Sequence, residues 1–252
     1  MANRFLEGRV AVITGAGRGI GRAIALALAG AGARLALVDR TQTDVADTSK
    51  LVQDAGAQCE TFGCDVREDA QVQALATHVM QRFGAVHILV NNAGTAIRKK
   101  VHEFTLEEWR LVMETNLTGP WLMCRHLIPH MKGRGYGRII NMTSIMAHVS
   151  SDGRGVYSAS KHGLLGLTKA LAVELAADSI TAVAISPGFV ETDLTAPLRS
   201  DAQKSAALLA QTPLQRYGKP EEIAALTLYL CSDAAAYITG NDVLIDGGWC
   251  AQ

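Results

Sequence analysis

Residues 9–21 read RVAVITGAGRGIG, and the rest of the 252-residue chain is best understood outward from them. Residues 9–14 form a short apolar run rich in β-branched side chains, residues 15–21 a glycine-rich turn, and residues 22–31 have helical composition. Strand, tight turn and helix in that order open a βαβ unit of the kind that binds a dinucleotide. One glycine lets the chain turn, and another lets the backbone approach a pyrophosphate without a Cβ in the way. The helix that follows offers free amides to the phosphates. An ordinary turn at positive φ also selects glycine, so the stretch needs support from the rest of the chain.

That support comes from alternation. A strand expected over residues 34–38 ends at Asp39, about twenty residues past the turn, where a carboxylate accepts hydrogen bonds from adenosine ribose hydroxyls. The same carboxylate repels a 2′-phosphate, which favours NAD over NADP, whereas Arg18 and Arg40 could pair with such a phosphate. Further helices are expected over 44–55 and 68–83, with strands over 57–63, running into Asp65 and Val66, and over 87–90, running into Asn91-Asn92-Ala93-Gly94. A long helix is expected over 105–131, opened by a capping box at Thr105 and Glu108 and bent at Pro120. It carries Asn116, an unfavourable residue for a helix interior unless it has a task. A fifth strand over 137–142 leads to Ser144, and a sixth over 180–185 to Pro187 and Gly188. Between them a helix to about residue 177 carries Tyr157 and Lys161, and its low charge fits a face covered by another subunit. A helix over 220–231 and a strand over 242–245 close the chain. Strands and helices alternating at this pace give a doubly wound parallel α/β sheet of about seven strands, with helices on both faces as a three-layer sandwich, in one domain. Ligands bind such sheets at the carboxyl ends of the strands. The segment 189–218 is longer than a plain connection and reads as a substrate lid.

Tyr157 and Lys161, four apart, share one helix face. An ammonium beside a phenol favours phenolate and makes the tyrosine a usable base near neutral pH. Surface helices also carry such pairs, so the pattern gains meaning only from its company. The formal net charge is zero and charged residues make up 19% of the chain, which gives no field directed at nucleic acid or an anionic membrane. No apolar run approaches the roughly 20 residues of a membrane span. The five cysteines are scattered, with no CxxC pair and no leader ahead of the first strand, as expected of a reduced cytoplasmic protein with no metal site. The partner expected is a small molecule.

In their order and spacing these motifs resemble the short-chain dehydrogenase/reductases of roughly 250 residues, over nearly the whole chain. The resemblance rests on Thr14 to Gly21, Asn91 to Gly94, Asn116, Ser144 with Tyr157 and Lys161, and Pro187-Gly188. It implies a Rossmann-type fold in which Tyr157 is the acid/base, Lys161 lowers its pKa and holds the nicotinamide ribose, Ser144 steadies the substrate oxygen, and Asn116 supports a proton-relaying water. It also implies that a dinucleotide is held by Gly15, Arg18, Gly19, Ile20, Gly21, Asp39 and Arg40, with Asp65 and Val66 at the adenine. Asn92, Ala93 and Gly94 would line the ribose, and Pro187, Gly188, Val190 and Thr192 would lie toward the carboxamide. The chain departs from the family pattern at Thr181 and Val183 in the sixth strand. The ending 247–252 is similar to that of tetrameric relatives, some of which hold a divalent ion at the terminal carboxylate, so a homotetramer is expected. The function expected is NAD(H)-dependent interconversion of a secondary alcohol, of polyol, sugar-acid or hydroxy-ketone type, and its ketone. The alternative is an NADP-dependent 3-oxoacyl thioester reductase of the acyl-carrier-protein type. Expected pocket residues are Thr95, Ile97, Ile145, Met146, His148, Arg154, Phe189, Leu194 and Leu198, with Arg98 and Arg154 able to meet a carboxylate.

Overall fold

Seven short apolar runs of the chain pair into one parallel sheet, in the order β3-β2-β1-β4-β5-β6-β7, in a computed structural model that describes residues 4–251. The strands are β1 (Val10–Thr14), β2 (Arg34–Asp39), β3 (Cys59–Gly63), β4 (Ile88–Asn91), β5 (Gly137–Met142), β6 (Ile180–Pro187) and β7 (Asp242–Ile245). The central strands are buried on both sides, which is why they read as unbroken apolar runs instead of alternating ones. Alternate residues of a strand still serve opposite layers. Ala11 and Ile13 pack with α1 (Gly19–Gly30), α2 (Ala46–Asp54) and α9 (Pro220–Leu230), while Val10 and Val12 pack with α3 (Asp69–Phe83), α5 (Gly119–Met131) and α6 (Gly155–Leu175). Leu28 on one layer and Leu127 on the other have no exposed surface, so truncating either to alanine costs about 2–5 kcal/mol.

The chain runs outward from β1 to β3, then returns to place β4 on the other side of β1. That reversal leaves a crevice between the loops after β1 and β4, at the carboxyl edge, where ligands of such sheets bind. One backbone bond and one side-chain bond extend the β1–β4 contact at its far end: His87 N–H donates to Val10 O at 3.0 Å, and Val10 N–H donates to the His87 ring Nδ1 at 3.1 Å. Thr181 and Val183 sit in regular register opposite Arg138 and Ile140, and Val183 is buried, so the departure from the family pattern leaves β6 intact.

The helix expected over 105–131 is divided. Thr105 and Glu108 form the expected capping box of α4 (Leu106–Met113), but the regular helix ends before Pro120, at a π-turn over Glu114–Thr118 that runs directly into α5. The Gly119 N–H donates to Glu114 O, five residues back. Pro120 has no N–H to return to the carbonyl of residue 116, so the wider turn falls where the α-helical ladder would already have a missing rung. Asn116 sits in the middle of it.

The 189–218 segment contains α7 (Ala196–Arg199) and α8 (Ala202–Ala210). Its two ends are bonded to each other, Glu191 N–H to Gly218 O at 2.9 Å and Gly218 N–H to Phe189 O at 2.9 Å, so the excursion leaves and rejoins the body at one point. Gln252, which carries the terminal carboxylate linked by resemblance to a divalent ion, lies outside the described residues.

Candidate active site

Gly15 has φ +63°, and a Cβ on it would stand 2.9 Å from Asn92 Nδ2. A Cβ on Gly21 would stand 2.0 Å from Gly15 O, so only glycine lets α1 start this close beneath the turn. Arg22 and Thr48 hold the turn from below. The Arg22 guanidinium donates to Gly17 O at 2.6 Å, and the buried Thr48 hydroxyl donates to the same oxygen at 3.1 Å. Neither residue was expected from sequence, since an arginine one turn into a helix and a lone threonine carry no spacing signal. Asp39 is where the sequence places it, with Oδ2 accepting from Gly17 N–H at 3.1 Å and Oδ1 from Arg40 N–H at 2.9 Å. Arg18, expected as a phosphate ligand, reaches across the crevice to Asp193 at 3.1 Å, both side chains being exposed.

The N-terminus of α1 has no side-chain cap and no acidic residue in its first turn, which leaves its amides for an anion. A Cβ on Gly19 would fall 3.3 Å from Thr192 Cγ2 and narrow the gap between the turn and the 189–218 segment. These features fit a dinucleotide with its pyrophosphate on the glycine turn. Asp65 is held by Arg67, which donates to Oδ1 at 2.9 Å and keeps the carboxyl below its usual range. Val66 is buried in the core against the site of Gly119.

The loop after β4 is braced on β1. Thr14 Oγ1 accepts from the N–H groups of Asn92 and Ala93 at 3.0 Å, and Asn92 Nδ2 donates to Thr14 O and Gly15 O at 3.0 Å. One step further, the Asn116 amide clamps Thr95. Oδ1 accepts from Thr95 N–H at 2.8 Å, and Nδ2 donates to Thr95 O at 2.9 Å and to Ser160 Oγ at 3.0 Å. Ser160 in turn donates to Tyr157 O at 2.7 Å, so the amide ties the β4 loop to the helix that carries the tyrosine. Both N–H groups of the Asn116 amide are used in this way, and Oδ1 keeps one lone pair beyond its bond from Thr95. Ser160 is a further supporting residue hidden from sequence reasoning.

Tyr157 and Lys161 lie one turn apart on α6, and the ammonium is 5.7 Å from the centre of the phenol ring. Lys161 is buried and donates to Met142 O at 2.7 Å, and desolvation lowers its pKa to about 8. The Tyr157 phenol is pushed above its ordinary value by burial, opposed by a hydrogen bond with Ser144 and by the charge of Arg154. In the protein alone the favouring charge is that of Arg154, whose guanidinium carbon is 5.8 Å from the ring centre. Ser144 Oγ accepts from Met146 N–H at 3.2 Å, and the single Ser186 hydroxyl proton lies within reach of both the Ser144 carbonyl, at 3.0 Å, and the Asp242 carboxylate, at 2.7 Å.

Ser144 and Tyr157 open into a cavity of about 420 Å³, a volume suited to a small organic ligand. Ile145, Met146, Arg154, Phe189, Leu194 and Leu198 line it as expected. Thr95 and Ile97 are absent from the wall, and His148 turns away to Asp242 at 2.6 Å. Gly188, at the end of β6, belongs to the same wall, and its N–H donates to Ile245 O at 3.0 Å. Val190 is buried where the 189–218 segment begins.

Residues 15–250 match a family model described as enoyl-(acyl carrier protein) reductase. D-threitol dehydrogenase of Mycolicibacterium smegmatis is 42% identical over 245 residues, spanning 97% of this chain and 94% of that protein. Cis-4-hydroxycyclohexanecarboxylate dehydrogenase of Sinomonas cyclohexanicum is 38% identical over 252 residues and 100% of both chains. A 3-oxoacyl-[acyl-carrier-protein] reductase of Thermotoga maritima is 35% identical over 243 residues, 96% of this chain and 98% of that one. A crystal structure from Beutenbergia cavernae, provisionally assigned as an NAD(P) dependent gluconate 5-dehydrogenase with bound NADP at low occupancy, superposes with a TM-score of 0.94. It is 37% identical and covers 99% of this chain and 100% of that one.

Proposed function

The chain belongs to the short-chain dehydrogenase/reductase family, whose members named above act on carbinol or keto groups, and on that premise we propose that it interconverts a secondary alcohol and its ketone with NAD(H). The observation that carries this reading is the placement of the Tyr157 hydroxyl beside Ser144, at the wall of a 420 Å³ cavity on the carboxyl edge of the sheet. Bound on the glycine turn, the dinucleotide supplies the hydride acceptor or donor for the carbinol carbon. Tyr157 takes the hydroxyl proton in oxidation and returns it in reduction, while Ser144 holds the same oxygen in line. Lys161 places a cation next to the phenol, and Asn116 acts as a positioning residue through Thr95 and Ser160. Support for NAD comes from Asp39, whose carboxylate faces the turn where the adenosine ribose hydroxyls are expected.

A second reading, an NADP-dependent 3-oxoacyl thioester reductase, is favoured by one observation. Arg40 lies exposed next to Asp39 with no carboxylate partner among the described residues, and could meet a 2′-phosphate. Turnover of one ketone with NADH and with NADPH separates the two. At least a tenfold preference for NADH is expected, and a preference for NADPH would sink the cofactor assignment. The catalytic assignment is tested by Tyr157→Phe, which should retain dinucleotide binding and lose at least about 10² in kcat.

We further propose a cytoplasmic homo-oligomer, a homotetramer on the family pattern, built as one domain with residues 189–218 as its lid. Four buried thiols support the reduced compartment, and among the described residues no helix is long and apolar enough to cross a membrane. Leu106, Trp109 and Leu111 on α4, Trp121 on α5 and Val173 on α6 are exposed apolar side chains of adjoining helices, as a face covered by a second copy would present.

A further inference from the structure

The wall of the cavity beside Tyr157 has three cations, Arg98, Arg154 and Lys204, and no aspartate or glutamate. Lys204 is spoken for, since it pairs with Asp201 at 2.7 Å. Arg98 and Arg154 are not: among the described residues neither guanidinium has a carboxylate within 4.0 Å. Asp152 feels the charge of Arg98, but its carboxylate is exposed and bonded to Lys100 at 2.5 Å. Arg98 stands exposed and Arg154 half-buried, with its guanidinium carbon 5.8 Å from the Tyr157 ring centre. The two like charges also oppose each other across one cavity. Arg154 opens α6, whose N-terminus has no side-chain cap and no acid in its first turn, so a third source of positive potential adds to the two guanidinium groups. None of the glycine-turn residues lines this cavity, so these charges lie outside the place where a pyrophosphate would be held.

The remaining wall is more apolar than polar, its polar side chains being Ser150, Ser151, Thr195 and Gln211. Thr195 donates to Val190 O, and Ser150 is bonded to Ser158 at 2.9 Å. Ile145, Met146, Leu194, Leu198, Leu208 and Trp249 supply most of the rest. A polyol would leave several hydroxyls unpaired against them, at about 1–3 kcal/mol each. A hydrocarbon chain or ring would not.

We propose that the substrate is a hydroxy acid, or the corresponding oxo acid, with a mainly apolar carbon skeleton, whose carboxylate is held by Arg154 and Arg98 while its carbinol meets Ser144 and Tyr157. This rests on the oxidoreductase reading above for the carbinol, but the carboxylate site is independently measurable. A guanidinium fork matches a carboxylate through two parallel bonds, which an amide or ester of the same shape cannot reproduce.

The test is a calorimetric titration of the full-length protein, saturated with NAD, with cyclohexanecarboxylate, cyclohexanecarboxamide and gluconate. None of these binding measurements requires turnover. The carboxylate should bind at least tenfold more tightly than the amide and more tightly than gluconate. In Arg154→Gln that preference for acid over amide should fall at least fivefold, and Arg98→Gln should lower it as well, with Arg154→Lys restoring part of it. Equal binding of acid and amide by the wild-type protein would overturn the inference, and so would an undiminished preference in both glutamine variants. Tighter binding of gluconate would overturn the apolar skeleton. A separate assay of 4-hydroxycyclohexanecarboxylate and its methyl ester reports on the chemistry. If Arg154 serves only to tune Tyr157, Arg154→Gln will slow acid and ester by one factor and shift both pH profiles, which also defeats the proposal. Carboxylate binding without oxidation of either compound would count against the oxidoreductase reading and leave the anion site standing.

Discussion

Lys161 shows function opposing stability at a single residue. It is 4% exposed, bonded to one carbonyl, and its pKa is lowered to about 8 by burial. A lysine whose folded pKa lies below its ordinary value of 10.5 is destabilising while charged, so the penalty is present in full below about pH 8 and is relieved as pH rises toward 10.5. Lys161→Met should therefore raise the thermal midpoint at pH 7, by about 2–4 °C for each kcal/mol gained, while activity falls. A lower midpoint in that variant, measured by scanning calorimetry, would show that the bond to Met142 outweighs desolvation. Asn116 presents the opposite case, because its amide bonds both the N–H and the carbonyl of Thr95 and reaches Ser160 as well. Asn116→Ala leaves the half-buried N–H and carbonyl of Thr95 without these partners and should cost about 1–3 kcal/mol in urea denaturation together with a loss of kcat. Sequence showed Asn116, Tyr157 and Lys161 through their order and spacing. It did not show Ser160, Thr48 or Arg22, because a hydroxyl or guanidinium that supports a backbone oxygen leaves no periodic trace.

Among the elements, the strands were legible to within a residue or two, since burial on both faces writes them as continuous apolar runs between turns. The boundary inside 105–131 was not. Pro120 announced an interruption, but the physics that places it upstream lies in the backbone ladder and not in side-chain pattern. A pH-sensitive joint lies at the other end of the sheet. His87 is held to about 4, first by burial and then by the charges of Arg9, Arg134 and Arg34, and its Nδ1 accepts from Val10 N–H. Protonation removes that acceptor. A folded pKa below the ordinary 6.5 means that the contribution is present above about pH 6.5 and is lost as pH falls toward 4. The drop in thermal midpoint between pH 6.5 and 4.5 should be smaller in His87→Asn, which keeps an acceptor that does not titrate. An equal drop in both proteins would place the acid sensitivity elsewhere.

For the whole molecule, the exposed apolar face of α4, α5 and α6 has a measurable consequence. Val173 is 81% exposed in the last turn of α6, among the exposed apolar side chains of these helices. Val173→Glu should move the mass seen by light scattering to a smaller assembly without changing the circular dichroism of the sheet, and an unchanged mass would put the contact on another face. The polarity of the fold was readable from order alone: strand ends carrying Gly15, Asp39, Asn92, Ser144 and Gly188 had to meet at one edge once the sheet was parallel. The shape of the pocket was not, because the 189–218 segment contributes a large part of its wall, from Phe189 to Gln211, through contacts set by tertiary packing.

The π-turn at 114–118 also works as a phase shifter. An α-helix turns about 100° per residue, and the wide turn carries one residue more than a regular ladder would need, so Val112 of α4 and Leu122, Met123 and Leu127 of α5 all reach the core although their spacing in sequence disagrees with a single helical period. Deleting Thr115 would give a straighter and locally better helix, yet rotate every side chain of α5 against α4 and carry Asn116 off Thr95. The extra residue is thus a register mark: the chain length between Glu114 and Gly119 is fixed by the site, even where the identity of a side chain such as Thr115 is not.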